Sequence, residues 1–143
     1  MRKRLHVALI EASVTHRRKC RQEYQKMDLS EGQPKVLADL YTFEGHLQKD
    51  LAELCHVEPA TMTVLLRNMG QKGLIVKKAV HVSGGKRAYD ICLTDLGREK
   101  ALESMEVMDV LEKVGYSGFT EEEKDTLIRL LERVADNLAT YSS

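Results

Sequence analysis

The sequence contains no tryptophan and only two phenylalanines among its 143 residues, which excludes a core built around large aromatic side chains. Leucine, valine, isoleucine and methionine must fill the interior instead. No apolar run reaches the ~20 residues that a membrane-spanning helix needs. The cationic start is followed by apolar residues, as in a signal peptide, but His6 and Glu11 frame that run and keep it too short. We therefore expect a cytoplasmic protein that has no membrane partner.

Paired cysteines and the common catalytic signatures are also missing. Cys20, Cys55 and Cys92 are odd in number, widely spaced and in no paired motif, which favours reduced thiols over a disulfide framework. The stretch Gly84–Lys86 resembles part of a phosphate-binding loop but lacks its G-x-x-x-x-G-K-[ST] spacing. We find no nucleophile paired with a base and no metal-binding box. The sequence therefore predicts a protein that is not an enzyme and that carries neither a cofactor nor a metal.

Acidic residues are absent from one long segment, although the formal net charge of the chain is zero. Residues 59–89 contain six Lys or Arg and no Asp or Glu. The neighbouring segments are acidic: residues 31–58 carry two basic and six acidic residues, and residues 94–143 carry six and twelve. A clustered patch creates a local field even when the total charge is zero. The basic segment is therefore a candidate surface for a polyanion.

Apolar residues at steps of three or four predict a first helix. They are Leu5, Leu9, Ala12, His16, Cys20, Tyr24 and Met27. Capping-box patterns at Ser30–Gln33 and Thr120–Glu123 predict the starts of two further helices. Thr94 is expected to cap a long helix that turns Leu102, Met105, Met108 and Leu111 inward.

Two short helices and a hairpin occupy the middle of the chain. The first helix follows Leu47, and the second spans Pro59–Lys72, with proline suited to its first position and Glu58 expected to cap it. Two β-like stretches then flank a pair of glycines. This order predicts a mainly α fold with a small β-hairpin, a winged helix-turn-helix with long N- and C-terminal helices. We expect one domain over residues 1–143, with a DNA-binding lobe at residues 30–93.

The second short helix has the size to enter the major groove of DNA. Its outward residues are predicted to be Ala60, Thr61, Thr63, Val64 and Arg67. Hydroxyls can bond phosphates or bases, Val64 can touch a thymine methyl, and Arg67 can reach guanine or phosphate. The glycines permit a tight turn that projects Lys86 and Arg87 toward the phosphate backbone or a narrow minor groove. A helix-turn-helix pattern also occurs in many proteins that do not bind DNA, and hairpin lysines are usually only solvated.

Three segments at ordinary spacings together resemble the MarR family of bacterial transcription regulators. They read LSEGQPKVLADLYTFEG, LQKDLAELCHVEPATMTVLLRNMGQKGLIVKK and GKRAYDICLTDLG. The family commonly shows a Q-x-x-V-L helix, a T-Q-x-x-L-A helix, a recognition helix ending in E-x-x-G-L-V and a wing reading D-x-R-A-x-x-V-x-L-T-x-x-G. The resemblance covers residues 28–100, and FTEEEKDTLIRLLERV fits the last helix of the family. It implies a homodimer that represses, or occasionally activates, nearby genes until a small molecule, metal or oxidant releases it.

By position, the resemblance assigns recognition-helix roles to Thr61, Thr63, Val64 and Arg67 and the wing role to Arg87, with Lys86 before it. It also implies that residues 1–29 and 94–143 form the dimerisation helices. Candidate contact residues there are Leu5, Leu9, Leu127, Leu131, Val134 and Leu138, of which the last four follow a heptad seam.

The chain departs from the family pattern at four positions. Gly85 replaces a common wing acid, and Arg67 replaces an acid that pairs with the wing arginine, so Arg67 is free for DNA. Val64 replaces a frequent arginine, which implies a different operator. Leu47 replaces the threonine that caps the first short helix, at a cost of ~1 kcal/mol unless another group caps it.

His16 and Cys20 are candidates for sensing a redox signal or a ligand. They lie four residues apart and could share a metal, but zinc needs more ligands. The cations beside Cys20 are expected to lower its thiol pKa if they lie close, as in an oxidant sensor. Alternatively both residues pack in the dimer interface, and a small organic effector is sensed elsewhere.

The sequence therefore predicts a sequence-specific regulator, a repressor, that acts as a homodimer on a pseudo-palindromic double-stranded DNA operator. A small-molecule or redox signal is expected to release it. The alternative is a winged-helix module that binds other proteins and has no specific affinity for DNA.

Overall fold

The computed structural model describes residues 2–81, 84–85 and 87–142, without the side chains of His81 and Arg87. Helices and strands follow one another along the chain in the order α1 Leu5–Gln25, α2 Gln33–Thr42, β1 His46–Leu47, α3 Gln48–Leu54, α4 Pro59–Gln71, β2 Ile75–His81, β3 Arg87–Leu93, α5 Asp95–Gly115 and α6 Glu121–Ala139. None of the helices in the described part of the chain combines the length and the apolarity that a membrane span requires.

The helical core predicted from the sequence is confirmed. Buried leucine, valine, isoleucine and methionine residues from α2, α3, α4 and the sheet form one cluster, which includes Val36, Leu37, Leu40, Leu51, Met62, Leu66, Met69 and Ile91. Only the end of α1 and the residues that follow it enter the cluster: Tyr24 is buried, and Cys20 and Met27 pack against it. Leu5, Ala12 and His16 are exposed in the single chain. The first half of the predicted apolar face of α1 therefore lies open to solvent.

The sheet has three strands rather than the predicted two. Its order is β1-β3-β2, and both pairings are antiparallel. Ile75 pairs with Leu93 and Lys77 with Ile91, while His46 of the additional strand pairs with Ile91 from the other side. A strand of two residues has no room for an alternating pattern, which explains why the sequence did not reveal it.

Two predicted caps differ from the structure. Helix α2 begins at Gln33 and not after Ser30, because Gly32 adopts a left-handed φ of 90° at the N-cap position. Of the capping box only the glutamine part forms: the Ser30 backbone N–H donates to Gln33 Oε1 at 3.1 Å. Glu58 does occupy the N-cap of α4, but its side chain makes no capping hydrogen bond. Leu47 likewise leaves α3 without a side-chain cap.

The start of α5 is tied to the residues that precede β2. The Thr94 hydroxyl donates to the Gly73 carbonyl at 2.6 Å and accepts the Gly97 N–H at 3.0 Å, which confirms Thr94 as the cap. The Thr94 N–H donates to the Leu74 carbonyl at 3.0 Å. Gly97 faces the same carbonyl, and a Cβ there would lie 3.0 Å from its carbon and well inside van der Waals contact with its oxygen.

The inward face of α5 is built from smaller residues than predicted. Ala101 and Ser104 are buried, whereas Leu102 is 47 % exposed, so its predicted inward position is wrong. The helix approaches the lobe too closely at Gly97 for a leucine stripe to fit beneath it. Ala101 and Ser104 share the Gly97 side because they follow it at helical steps of four and three.

The described residues fall into two compact units, Met1–Met108 and Asp109–Ser143. In the second unit Thr120 and Glu123 form the predicted capping box in full, with bonds of 2.9 and 3.1 Å. Tyr116 and Phe119 stack edge to face with ring centroids 5.5 Å apart, and Lys124 Nζ lies 5.3 Å from the centre of the Tyr116 ring. Helix α6 contributes no buried residue within the single chain.

Replacing Gly97 by alanine is expected to lower the free energy of unfolding by about 3 kcal/mol or more, because the new methyl group would overlap backbone that cannot move without shifting β2. Urea unfolding at matched protein concentration measures the change. Gly70→Ala is the matched control: Gly70 lies within α4 and its Cβ would meet nothing within 4 Å. That variant should gain about 0.5–1 kcal/mol, and equal stability of both variants would contradict the close-contact argument.

Candidate nucleic-acid interface

Helices α3 and α4 form a helix-turn-helix whose turn is fixed by backbone hydrogen bonds. His56 takes a left-handed φ of 55°. The Val57 N–H donates to the Ala52 carbonyl at 3.1 Å, and the His56 N–H donates to the Glu53 carbonyl at 3.2 Å. These bonds satisfy the last carbonyls of α3 and turn the chain sharply into α4. Pro59 then occupies the first position of α4, as predicted.

Burial of one side of α4 sets which residues it presents to solvent. Met62, Leu65, Leu66 and Met69 are buried. The opposite side carries all five residues predicted to face DNA, and each is exposed: Ala60, Thr61, Thr63, Val64 and Arg67. The exposed side chains nearest the start of α4 are short, so a ligand can approach the backbone closely there.

The Thr63 hydroxyl is already engaged. Its proton goes to the Pro59 carbonyl at 3.0 Å, and its oxygen accepts a hydrogen bond from Gln48 Nε2 at 2.9 Å. A hydroxyl has only one proton, so Thr63 cannot donate to a phosphate unless it gives up the bond to Pro59. Gln48, the first residue of α3, thereby joins this face of α4. Sequence reasoning missed it because the pairing spans 15 residues.

The wing formed by β2 and β3 carries part of the basic segment. Lys77 and Lys78 are exposed, and neither forms an ion pair with another described residue. Gly84 and Gly85 have φ values of 86° and 74°, which confirms the turn geometry expected of the two glycines. The predicted phosphate contacts of Lys86 and of the Arg87 side chain lie outside the described residues.

One cation of the basic segment has a structural role instead. Lys72, at the C-cap of α4, donates to the Asp28 carbonyl at 2.6 Å and to Gln33 Oε1 at 3.1 Å. Its Nζ also lies 3.9 Å from the Asp28 carboxylate. Lys72 therefore ties the end of α4 to the loop between α1 and α2. By contrast, Arg67 has no acidic partner within the described ranges.

Comparison with known proteins agrees with this geometry. A family model described as MarR family matches residues 29–81. The uncharacterized HTH-type transcriptional regulator YybA of Bacillus subtilis is 30% identical over 126 residues, which cover 81% of this chain and 76% of YybA.

The chain belongs to the MarR family.

Solved structures extend the likeness to nearly the whole fold. Staphylococcus aureus MepR in its DNA-binding conformation is 25% identical, with a TM-score of 0.81 over 95% of this chain and 99% of MepR. The MepR–DNA complex has a TM-score of 0.84 at 24% identity, over 96% and 99% of the two chains. This MarR-family chain is thus a transcription regulator with a winged helix-turn-helix fold.

His16 and Cys20 are in contact, but the predicted low thiol pKa is wrong. Cys20 Sγ lies 3.5 Å from His16 Nε2. Burial raises the pKa of the Cys20 thiol above its ordinary value, and a backbone hydrogen bond opposes this only in part. Two of the neighbouring cations form ion pairs with an acid: Arg17 and Arg21 lie 3.2 and 3.3 Å from the Glu31 carboxylate. Among the described residues, no group of three or more His, Cys, Asp or Glu residues is arranged to hold a metal ion.

Native Cys20 should therefore react with iodoacetamide only at higher pH than the same thiol in the urea-unfolded chain, because the thiolate is the reacting form. Peptide mass spectrometry across a pH series measures the midpoint for each cysteine. Cys55 is the internal comparison: burial and its hydrogen bond to Asp39 raise its thiol pKa to about 12, so it should react last. A Cys20 midpoint below the unfolded value would restore the low-pKa interpretation.

Proposed function

We propose that this regulator is a homodimeric repressor that binds a pseudo-palindromic DNA operator and is released by a small organic effector. The observation that carries the proposal is the solvent face of α4, where Thr61, Val64 and Arg67 stand exposed within a segment that contains no acid. A helix of 13 residues with short side chains at its start fits the major groove. The MepR–DNA complex supports it, since that relative binds DNA with the same fold.

The apolar surface of α6 supports the proposed dimer. Leu127, Leu131 and Leu138 are exposed, Leu138 by 68 % of its surface, and Val134 is half-buried. At the start of α1, Leu5 is exposed and Leu9 half-buried. Exposure of such a heptad stripe to water is unfavourable, and a second helix that covers the stripe removes this cost. We propose that a second copy covers it, which also supplies the second recognition helix for a two-fold operator.

Release by a small organic effector is preferred to release by oxidation. The raised thiol pKa of Cys20 leaves little thiolate at neutral pH, which slows reaction with peroxide. Cys55 is protected further by its hydrogen bond to Asp39 at 3.2 Å. The effector would lower the affinity for DNA because it binds the DNA-incompetent state of the protein more tightly than the DNA-competent state.

Fluorescence anisotropy of the protein on labelled DNA from upstream of its own gene, against scrambled DNA over a salt series, tests the proposal. Preference for the upstream DNA and a steep loss of affinity with salt are expected, because Lys and Arg release counterions from phosphates. Absence of binding at low salt would favour the alternative, a module that binds other proteins.

Arg87→Ala should weaken binding to all sequences alike and reduce the salt slope by about 1 per subunit, as loss of one phosphate contact does. Thermal unfolding should hardly change, since a hairpin tip buries little surface. Arg18→Ala is the charge-matched control, because Arg18 is exposed on α1 and belongs neither to α4 nor to the wing. Unchanged affinity of Arg87→Ala, or unfolding, would contradict the wing assignment.

The double variant Leu131→Glu, Leu138→Glu should be monomeric in size-exclusion chromatography with light scattering, because charges then replace the apolar seam of α6. It should also lose tight operator binding, which needs two recognition helices. Arg129→Glu introduces the same side chain on the opposite side of α6 and should leave the dimer intact. A dimer that survives in the double variant would locate the interface elsewhere.

A further inference from the structure

A short chain of hydrogen bonds fixes the orientation of the Gln48 side chain. Thr63 donates its hydroxyl proton to the Pro59 carbonyl at 3.0 Å. The Thr63 oxygen can then only accept, and Gln48 Nε2 lies 2.9 Å from it. The amide must therefore turn an N–H, and not its carbonyl oxygen, toward Thr63. A glutamine amide in water has no such preference, since its two ends are nearly the same size.

This orientation leaves a defined hydrogen-bonding edge on Gln48. The amide keeps one acceptor, Oε1, and one N–H, and neither bonds to another group within the part of the chain that the structure describes. Oε1 has no partner in the described ranges and is not a buried atom, so it is accessible to solvent. One acceptor beside one donor is the complement of the adenine edge in the major groove, which offers the N6 amino group and the N7 acceptor.

The position of Gln48 suits contact with a base. It is half-buried at the start of α3, and its bond to Thr63 places it on the solvent face of α4, one turn before Arg67. The Gln48–Thr63 bond is hardly needed to hold α3 against α4, because Leu51 and Ala52 of α3 and Met62 of α4 already pack in the buried core. A phosphate contact would use only the N–H and would leave the fixed acceptor unused.

We propose that Gln48 reads an adenine in the operator and that Thr63 is the positioning residue that holds its amide for this purpose. The inference rests on the proposed operator binding and adds a specificity-determining residue to it. It also changes the role of Thr63, which acts through Gln48 and not by donating its own proton to DNA.

Operators selected from a random duplex library by the wild-type protein provide the test. Each base pair of the consensus is then changed singly, and anisotropy gives the affinity of every duplex for each variant. Gln48→Ala should lose discrimination at one A·T pair of the half-site, where the wild type should discriminate by about 5- to 150-fold. The other positions and the salt slope should stay as in the wild type. Gln71→Ala, which changes another exposed glutamine on α4, should leave the whole profile unchanged.

Thr63 variants separate positioning from direct contact. Thr63→Val removes the hydroxyl and should flatten the profile at the same A·T pair as Gln48→Ala, since the amide can then turn either way. Thr63→Ser keeps the hydroxyl and should restore discrimination there. Equal loss in both Thr63 variants, or loss at a different base pair, would overturn the positioning role.

Three results would overturn the Gln48 proposal itself. An unchanged profile of Gln48→Ala would remove it from base reading. A uniform loss of affinity over all duplexes with a smaller salt slope would make Gln48 a phosphate contact. A lower unfolding temperature without loss of discrimination at one base pair would make its role purely structural. If the wild type selects no consensus at all, the operator-binding proposal fails as well, which distinguishes that failure from the failure of Gln48 alone.

Discussion

The arrangement of the DNA-binding lobe depends on one tight contact between backbones, where α5 begins against the residue before β2. Gly97 has no side chain, so the helix can approach the Leu74 carbonyl more closely than any other residue would allow. Thr94 completes the junction with bonds to Gly73 and Leu74 at 2.6 and 3.0 Å. Since Gly73 ends α4 and Leu74 leads into the wing, a displacement of the start of α5 must move the recognition helix or the wing with it. A junction of this kind can couple a shift of α5 to the positions of these two elements.

A second tie fixes the other side of the recognition helix. Gln33 is fully buried, and its Oε1 accepts bonds from the Ser30 N–H and from Lys72 Nζ at 3.1 Å each. Lys72 in turn reaches the Asp28 carbonyl. The C-terminal end of α4 is thus held both to α5 and to the α1–α2 loop. Among the described residues, its N-terminal half is held to other elements by packing and by the Gln48–Thr63 bond. The half of α4 that carries the exposed residues Thr61, Thr63 and Val64 is therefore the half with fewer polar restraints.

The sequence was most informative where a local rule decides the structure. Pro59, the Gly84–Gly85 turn, Thr94 and the Thr120–Glu123 box were predictable because a proline ring, a left-handed φ or a capping hydroxyl acts within one turn of chain. Contacts between distant segments were not predictable. The strand His46–Leu47 exists only because Ile91 and Asp90 lie beside it. The exposure of Leu102 follows from the Gly97 contact, and the Gln48–Thr63 bond joins two helices, so neither leaves a periodic signal. The sign of the Cys20 pKa shift was missed for the same reason: the nearby cations are visible in the sequence, but the burial that raises the pKa of this thiol is not.

Charge distribution imposes a further constraint on how such a regulator meets DNA. A chain of zero net charge gains little from long-range attraction to a polyanion, so its encounter rate and affinity depend on the local field of residues 59–89. Residues 94–143, with twelve acids against six basic residues, repel the same polyanion. Within residues 31–143 the excess of basic residues is therefore confined to the segment that contains the recognition helix and the wing. With phosphate attraction limited in this way, discrimination must come from the few side chains that reach base edges. In the proposed complex the amide of Gln48, bonded to Thr63, would supply an acceptor and a donor, and Val64 and Arg67 of α4 would supply a methyl contact and a cation, which is sufficient chemistry to distinguish base pairs in the major groove.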